Sequence, residues 1–175
     1  MASAPDAAAP AEEKPPRLSR KEQKEAADAF SDRLNVTPAA CSEADAFRAA
    51  DDALKALKPP AVAALADVAE AGLAPEMVAI MESWCSLHGE PQSVSSCAKL
   101  ARDPEDFKLV GMSSVQCMPA EERATFRTRL AELDEAAVRG LGAPIGEAAA
   151  LMYDWMRAAV AMQDWAEEVR KNPTD

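Results

Sequence analysis

Aromatic residues, long apolar runs and a basic N-terminal signal are all scarce or missing in this 175-residue sequence. Aromatics make up 5% of the chain, and alanine supplies much of its apolar share, which favours a core of closely packed helices. No run of 18 or more apolar residues occurs, so we expect no transmembrane helix. Residues 1–18 lack an apolar segment behind a basic start, so we expect no secretory signal either.

Phosphate-binding loops and histidine-based catalytic sites are also missing. The six glycines form neither a GxxxxGK[ST] nor a GxGxxG pattern, and the stretch GLGAPIG lacks a lysine and is typical of a turn. The single histidine, His88, precedes Gly89, a common arrangement at a helix C-terminus. Adjacent carboxylates such as Asp51 and Asp52 are typical of a solvated face, and no calcium-loop pattern occurs. We therefore expect no enzymatic activity and no cofactor.

The charge and the cysteine pattern narrow the set of ligands. The formal net charge is −11 and the pI is about 4.6. Such a chain lacks the basic footprint that displaces counterions from nucleic acid, and anionic membrane surfaces repel it. We therefore expect neither a nucleic-acid nor a membrane partner. No CxxC pair occurs, so buried free thiols are favoured over a metal site built from Cys85, His88, Cys97 and Cys117.

Proline and alanine dominate the start of the chain, and helix-forming segments follow. Residues 1–40 are predicted to be a disordered Ala/Pro/Glu-rich leader with one short helix in SRKEQKEAADAFSDRL. Residues 41–172 are predicted to form one all-α domain, since no segment alternates as a strand does. Its helical segments are SEADAFRAADDALKALKPP, the short AVAALADVAEAG, APEMVAIMESWCSLHG, SVSSCAKLARDPEDFKLVGM with a break at Asp103-Pro104, MPAEERATFRTRLAELDEAAVRGLG, and a last helix from Pro144. Within the third of these segments, one apolar stripe is predicted at Met77, Ile80, Met81 and Trp84.

The last helix has the strongest periodic signal. Spacings of three and four residues, typical of a coiled-coil seam, relate Ile145, Ala148, Met152, Trp155, Ala159, Met162, Ala166 and Val169. The only other segment with matching spacing contains Phe47, Ala50, Leu54 and Leu57. We therefore predict a compact helical bundle carried on a short antiparallel two-helix coiled-coil stalk. Its seam should pair Met152, Trp155 and Met162 with Phe47, Leu54 and Leu57, whereas Trp165 lies off the seam and is a candidate interface anchor.

Four stretches are similar, in chain order, to segments of one known family: ALKALKPPAVAAL, MVAIMESWC, AKLARDPEDF and IGEAAALMYDWMRAAVAMQDW. They resemble the stalk-tip microtubule-binding domain of dynein heavy chains, a helical knob on two antiparallel stalk helices. The matching residues are Glu82, Cys85, Asp103, Phe107, Ala148, Ala149, Trp155, Arg157 and Ala158. The resemblance implies a free-standing copy of the stalk tip without the motor. It also implies a cytoplasmic, cytoskeletal location in the axoneme of a cilium or flagellum, with tubulin, dynein-arm, spoke or central-apparatus components as partners.

Several positions depart from that family, whose members use basic side chains to bind the acidic tubulin surface. Where the family has basic or polar residues, this chain has Val78, Glu147 and Asp154, and Gly146 replaces a serine. The family's lysine–aspartate loop corresponds here to MSSVQCM. Residues 41–92 contain nine acidic and three basic residues. Because like charges weaken association, this pattern predicts altered tubulin binding or a different axonemal partner.

Some basic residues remain on one predicted helix. Arg123 and Arg127 share a face, Arg129 lies nearby, and Arg139 is less well aligned. They form either a residual patch for an acidic partner or a solvated face paired with Glu121, Glu122 and Glu132. The alternative function is a cytosolic helical adaptor or regulator, unrelated to tubulin, whose Met/Trp surface holds a partner helix.

Overall fold

The computed structural model describes residues 21, 22, 24 and 25 and residues 41–171. Within residues 41–171 the chain forms nine helices, and no strand occurs among the described residues, so the all-α prediction is confirmed for this part. The helices are α1 (Ser42–Ala56), α2 (Pro59–Ala66), α3 (Pro75–His88), α4 (Val94–Leu100), α5 (Pro104–Phe107), α6 (Met112–Gln116), α7 (Ala120–Glu132), α8 (Glu135–Arg139) and α9 (Ile145–Lys171).

The predicted leader over residues 1–40 lies outside the described residues, apart from four helical positions. There Lys21 pairs with Glu25 at 3.8 Å, one helical turn apart. Among the described helices, none is long and apolar enough to cross a membrane.

Proline and glycine set several helix boundaries. α1 ends before Pro59 and Pro60, and these prolines then open α2, because the first turn of a helix needs no backbone N–H from them. Gly89 ends α3 with a φ of 63°, a left-handed conformation that glycine adopts without steric cost. Asp103 caps α5, which confirms the predicted break between α4 and α5.

One sequence prediction was wrong in this region, and one segment differs from its counterpart in the resembling family. The single helix predicted after Pro119 is two helices, α7 and α8, because the carboxylate of Asp134 accepts a hydrogen bond from the Ala136 N–H at 2.9 Å and starts a new helix. The MSSVQCM segment, which corresponds to a loop of the resembling family, contains α6. Its first turn is closed by the Gly111 N–H, which donates to the Ser114 hydroxyl at 3.2 Å.

The core is organised around two tryptophans. Trp84 of α3 and Trp155 of α9 are the largest fully buried side chains, and their rings meet edge to face with centroids 5.7 Å apart. Phe107 stacks on Trp84 at 5.4 Å, and its carbonyl oxygen accepts the indole N–H of Trp84 at 3.2 Å. These contacts fix the short α5 against α3. The predicted stripe on α3 is confirmed, since all four of its residues are fully buried.

Helix α9 packs most extensively along α1, where the rings of Phe47 and Trp155 lie 6.0 Å apart. The predicted seam positions between 148 and 162 are buried: Ala148, Met152, Trp155, Ala159 and Met162. The buried face is wider than that seam, because it also includes Ala149, Tyr153, Met156 and Gln163. This width allows α9 to contact α2, α3, α6, α7 and α8 as well, so it serves as the central helix of the bundle. The side chain of Val169 lies outside the described part.

Candidate interaction surface

Two of the candidate arginines of α7 are used in contacts between helices. The guanidinium of Arg127 pairs with Asp164 of α9, and that of Arg129 pairs with Glu82 of α3 at 3.3 Å. Both arginine side chains are about 30% exposed, so the pairs are partly shielded from solvent. Of the two alternatives, pairing with acidic residues of α7 itself is not the arrangement of these two arginines, because they pair with acidic residues on α9 and α3. These positive charges stabilise the packing of α7 and are largely compensated within the fold.

A glutamine that the sequence analysis did not single out links this surface to the turn before α4. Gln92 accepts a hydrogen bond from Arg129 at 3.2 Å and donates to the Glu122 carboxylate at 3.5 Å. Helical spacing cannot reveal such a contact, since Gln92 is 37 residues from Arg129. The side chain of Gln92 therefore connects this turn to α7.

Arg123 differs from the other two arginines of the candidate patch. It lies one turn before Arg127 and is half-buried. Within the described part of the chain, its side chain has no hydrogen bond or ion pair with another residue. Arg123 therefore differs from Arg127 and Arg129, which pair with acidic residues of other helices.

The acidic residue Asp154 is compensated by a network between α8 and α9. Arg139 donates to Asp154 at 2.8 Å and to Glu135 at 2.9 Å. Arg157 donates to Glu135 at 2.9 Å and lies 5.5 Å above the ring centroid of Tyr153. The hydrogen bond and charge of Arg139, helped by Arg157, hold the pKa of Glu135 below its ordinary value of 4.5. Asp154 is therefore part of an internal ion-pair network.

The remaining candidate positions lie apart from that network. Val78 and Trp165 are half-buried and pack against the core, whereas Glu147 is exposed in the first turn of α9. Gly146 has a steric role, because a Cβ built there would overlap the carbonyl oxygen of Leu141 and lie 2.8 Å from its carbonyl carbon. The serine that the resembling family has at this position would not fit this backbone.

One exposed feature was missed by the sequence analysis. Leu109, a large hydrophobic residue, is 59% exposed. The adjacent Lys108 donates to the carbonyl oxygens of Leu57 and Lys55 at 3.2 and 3.5 Å. A cation at this position satisfies the free carbonyls and the negative dipole end of α1. The position of Lys108 is therefore explained by its hydrogen bonds to the end of α1. The next residue, Leu109, is exposed to solvent.

The histidine and the cysteines considered for a metal site differ in their surroundings. Cys85 and Cys97 are fully buried, Cys117 is exposed, and the Nε2 atom of His88 lies 3.2 Å from the carbonyl oxygen of Phe107. That geometry requires Nε2 to be the donor, since the carbonyl oxygen can only accept. In the described residues, no cluster of three or more histidine, cysteine or acidic side chains is arranged to hold a metal ion.

No family model matches this sequence, and neither a curated protein nor a solved structure is detectably similar to it. The residues that carry the resemblance to dynein stalk tips have mainly structural roles in this chain. Five of them are fully buried: Cys85, Phe107, Ala148, Ala149 and Trp155. Three of the others cap a helix or form ion pairs between helices: Asp103, Glu82 and Arg157.

Proposed function

We propose that this chain is a non-catalytic helical interaction protein of a microtubule-based assembly such as the ciliary axoneme. In this proposal α1 pairs with α9 as the short antiparallel stalk, and α9 also packs against the knob that the helices between them form. The observation that carries the proposal is the collinear match of residues that hold the fold together, among them Cys85, Phe107 and Trp155. Matches at core positions support a shared architecture, whereas the partner has to be inferred from the surface.

The surface charges favour a partner other than the ordinary tubulin lattice. Arg127 and Arg129 form ion pairs with acidic residues of the same chain. Val78 is uncharged, and Glu147 places a negative charge in solvent where the family tends to have a positive one. An acidic protein surface would therefore be weakly attracted to these positions. We infer that the chain retains the architecture and contacts another axonemal protein, or contacts tubulin through a changed surface.

Co-sedimentation of the full chain with stabilised microtubules tests this proposal. We expect little chain in the pellet at physiological salt. Strong co-sedimentation that falls steeply with added salt would contradict a changed surface and would indicate ordinary lattice binding.

A charge reversal shows whether any observed binding uses α7. Arg123→Glu should abolish binding through the candidate patch, because it reverses a charge of that patch. Arg102→Glu is the control, since Arg102 is exposed, follows α4 and does not belong to the candidate patch. Equal loss in both variants would show that net charge, rather than the α7 surface, determines binding.

The second candidate function is a helical adaptor unrelated to tubulin. The internal compensation of Arg127 and Arg129, together with the exposed Leu109, favours it. Location separates the two functions. An epitope-tagged chain that remains on detergent-extracted axonemes supports the microtubule assembly, whereas a tagged chain recovered only in a diffuse complex supports the adaptor and contradicts the first proposal.

A further inference from the structure

The last turns of α9 differ from the rest of this helix in how firmly they are packed. Between Ala148 and Met162 the helix is anchored by side chains that are fully buried in the core, among them Met152 and Trp155. From residue 164 to residue 168, every residue is half-buried or exposed. Because fewer buried contacts mean a lower local stability, this end of α9 opens at a smaller cost in free energy than the middle of the helix.

Gln163 lies where these two parts of α9 meet, and it is a polar residue buried without a partner. It is 3% exposed, and neither the nitrogen nor the oxygen of its side-chain amide has a hydrogen-bond partner among the described residues. A buried polar group without hydrogen bonds is destabilised relative to the same group in water. Local opening returns this amide to solvent, so Gln163 favours the open form.

Two contacts of the following residues oppose this opening. Asp164 pairs with the guanidinium of Arg127 on α7, and Trp165 packs against the core. The side chain of Asp164 is 52% exposed and that of Arg127 is 30% exposed, so solvent screens the ion pair and limits its strength. The closed form therefore compensates the charge of Arg127 but is weakly held.

We propose that residues 163–168 form an autoinhibitory strap, which opens locally and, while closed, keeps Arg127 paired with Asp164. Arg127 shares a face of α7 with Arg123, one turn earlier in the candidate patch. In the closed form, an acidic partner has to compete with Asp164 for the guanidinium of Arg127. In the open form, both arginines face the partner together. The strap regulates the surface of the proposed function, and it rests on that function only for the role of the patch.

Hydrogen–deuterium exchange of the full chain, followed by peptide mass spectrometry, measures the opening. In the wild type, the amides of the strap should exchange at least about tenfold faster than those of residues 149–156. Gln163→Met keeps a side chain of similar size and removes the unpaired amide, so it should slow the exchange of the strap about tenfold. Gln116→Met is the matched control, since Gln116 lies in α6, outside the strap, and should leave the exchange of the strap unchanged.

Labelling with phenylglyoxal, an arginine-selective dicarbonyl, measures the access to Arg127 in the same chain. Asp164→Asn removes the ion pair at nearly constant side-chain volume, so the labelling rate of Arg127 should rise about threefold. The rate at Arg123 should stay unchanged and serves as an internal reference. Glu147→Gln is the control for net charge, because it removes one exposed negative charge at the opposite end of α9.

Each measurement has an outcome that overturns the proposal. Ordinary fraying of a helix end does not depend on a buried amide, so exchange of the strap that is insensitive to Gln163→Met would overturn the local opening. An unchanged labelling rate of Arg127 in Asp164→Asn, or an equal rise in Glu147→Gln, would overturn the autoinhibitory contact. Asp164→Asn alters a half-exposed residue and tests that contact even if Gln163→Met fails to fold. Neither measurement includes a partner, so its failure is distinguishable from a failure of the proposed function in the microtubule assay.

Discussion

Trp155 should be the most costly residue of α9 to truncate. It is fully buried between Phe47 and Trp84, at ring-centroid distances of 6.0 and 5.7 Å. Trp155→Ala removes the indole from both contacts and leaves a cavity, so we expect a loss of about 3–5 kcal/mol in the free energy of unfolding. At an m-value of about 2 kcal/mol/M, the urea midpoint should fall by about 2 M.

A conservative variant separates packing from hydrogen bonding at the same site. The indole N–H of Trp155 is buried and has no hydrogen-bond partner, a state that costs about 1–3 kcal/mol. Trp155→Phe keeps a ring between the two neighbours and removes that N–H. The smaller ring loses some packing while the removed N–H offsets part of the loss, so we expect a net cost of about 1 kcal/mol or less.

Urea unfolding followed by far-UV circular dichroism measures both variants. Trp165→Ala is the comparison, because Trp165 is only half-buried and should cost less than Trp155. A loss below about 1 kcal/mol for Trp155→Ala would show that this residue is not core. A Trp155→Phe variant as unstable as Trp155→Ala would contradict the argument that the buried, unpaired N–H of Trp155 destabilises the fold.

Two further predictions concern the start of α9 and its ion-pair network. Gly146→Ala should lower the free energy of unfolding by about 2–3 kcal/mol, because the new Cβ overlaps the backbone of Leu141. The control in the same urea assay is Gly142→Ala, where a Cβ meets nothing within 4 Å. Equal stability of the two variants would contradict the overlap. The pKa of Glu135 is lowered by Arg139, so this carboxylate's contribution to stability is present above its ordinary value of 4.5 and is lost as the pH falls through the folded-state value. Glu135→Gln should therefore flatten the fall of the thermal midpoint with pH in the acid range, and an unchanged pH profile would argue against the network.

Helix type and most boundaries could be predicted from the sequence, because local chemistry sets them. Pro75 and Gly89 bracket α3, and Asp103 separates α4 from α5, as expected from the patterns. The break between α7 and α8 was missed because the helix-forming residues around Asp134 hid its capping role. Residues on both sides of Asp134 favour a helix, so helical propensity indicates no break. The break depends on the hydrogen bond that the Asp134 side chain makes as a cap.

The heptad pattern of α9 identified five buried residues between 148 and 162, whereas Ile145 and Ala166 are half-buried, and it underestimated how many sides of the helix are covered. Positions such as Ala149 and Tyr153 lie next to the seam and are buried because further helices pack there. A spacing of three and four residues indicates one apolar stripe. It does not indicate how many other helices pack against the remaining surface of α9. Helices α9 and α1 pack against each other, with Phe47 against Trp155, whereas the coiled-coil seam predicted from their matching periods stays a prediction.

Only the residue types of the candidate surface could be predicted from the sequence. The partners that neutralise its charges are far away in the sequence. Arg129 was identified, yet its partners Glu82 and Gln92 come from α3 and from the turn that follows it. Spacing along one helix predicts pairs three or four residues apart. It is silent on the pairs between helices that neutralise this surface.

The departures from the dynein-like pattern acquire a second explanation from these contacts. Asp154 is held by Arg139, Glu147 occupies the first turn of α9 where a negative charge complements the helix dipole, and Gly146 avoids the backbone of Leu141. Each residue therefore has a reason within the fold that does not depend on any partner. A change of partner is better judged from Arg123, which differs in this patch from the internally paired Arg127 and Arg129. The behaviour of Arg123→Glu on microtubules is for this reason more informative than the acidic substitutions that first drew attention to this surface.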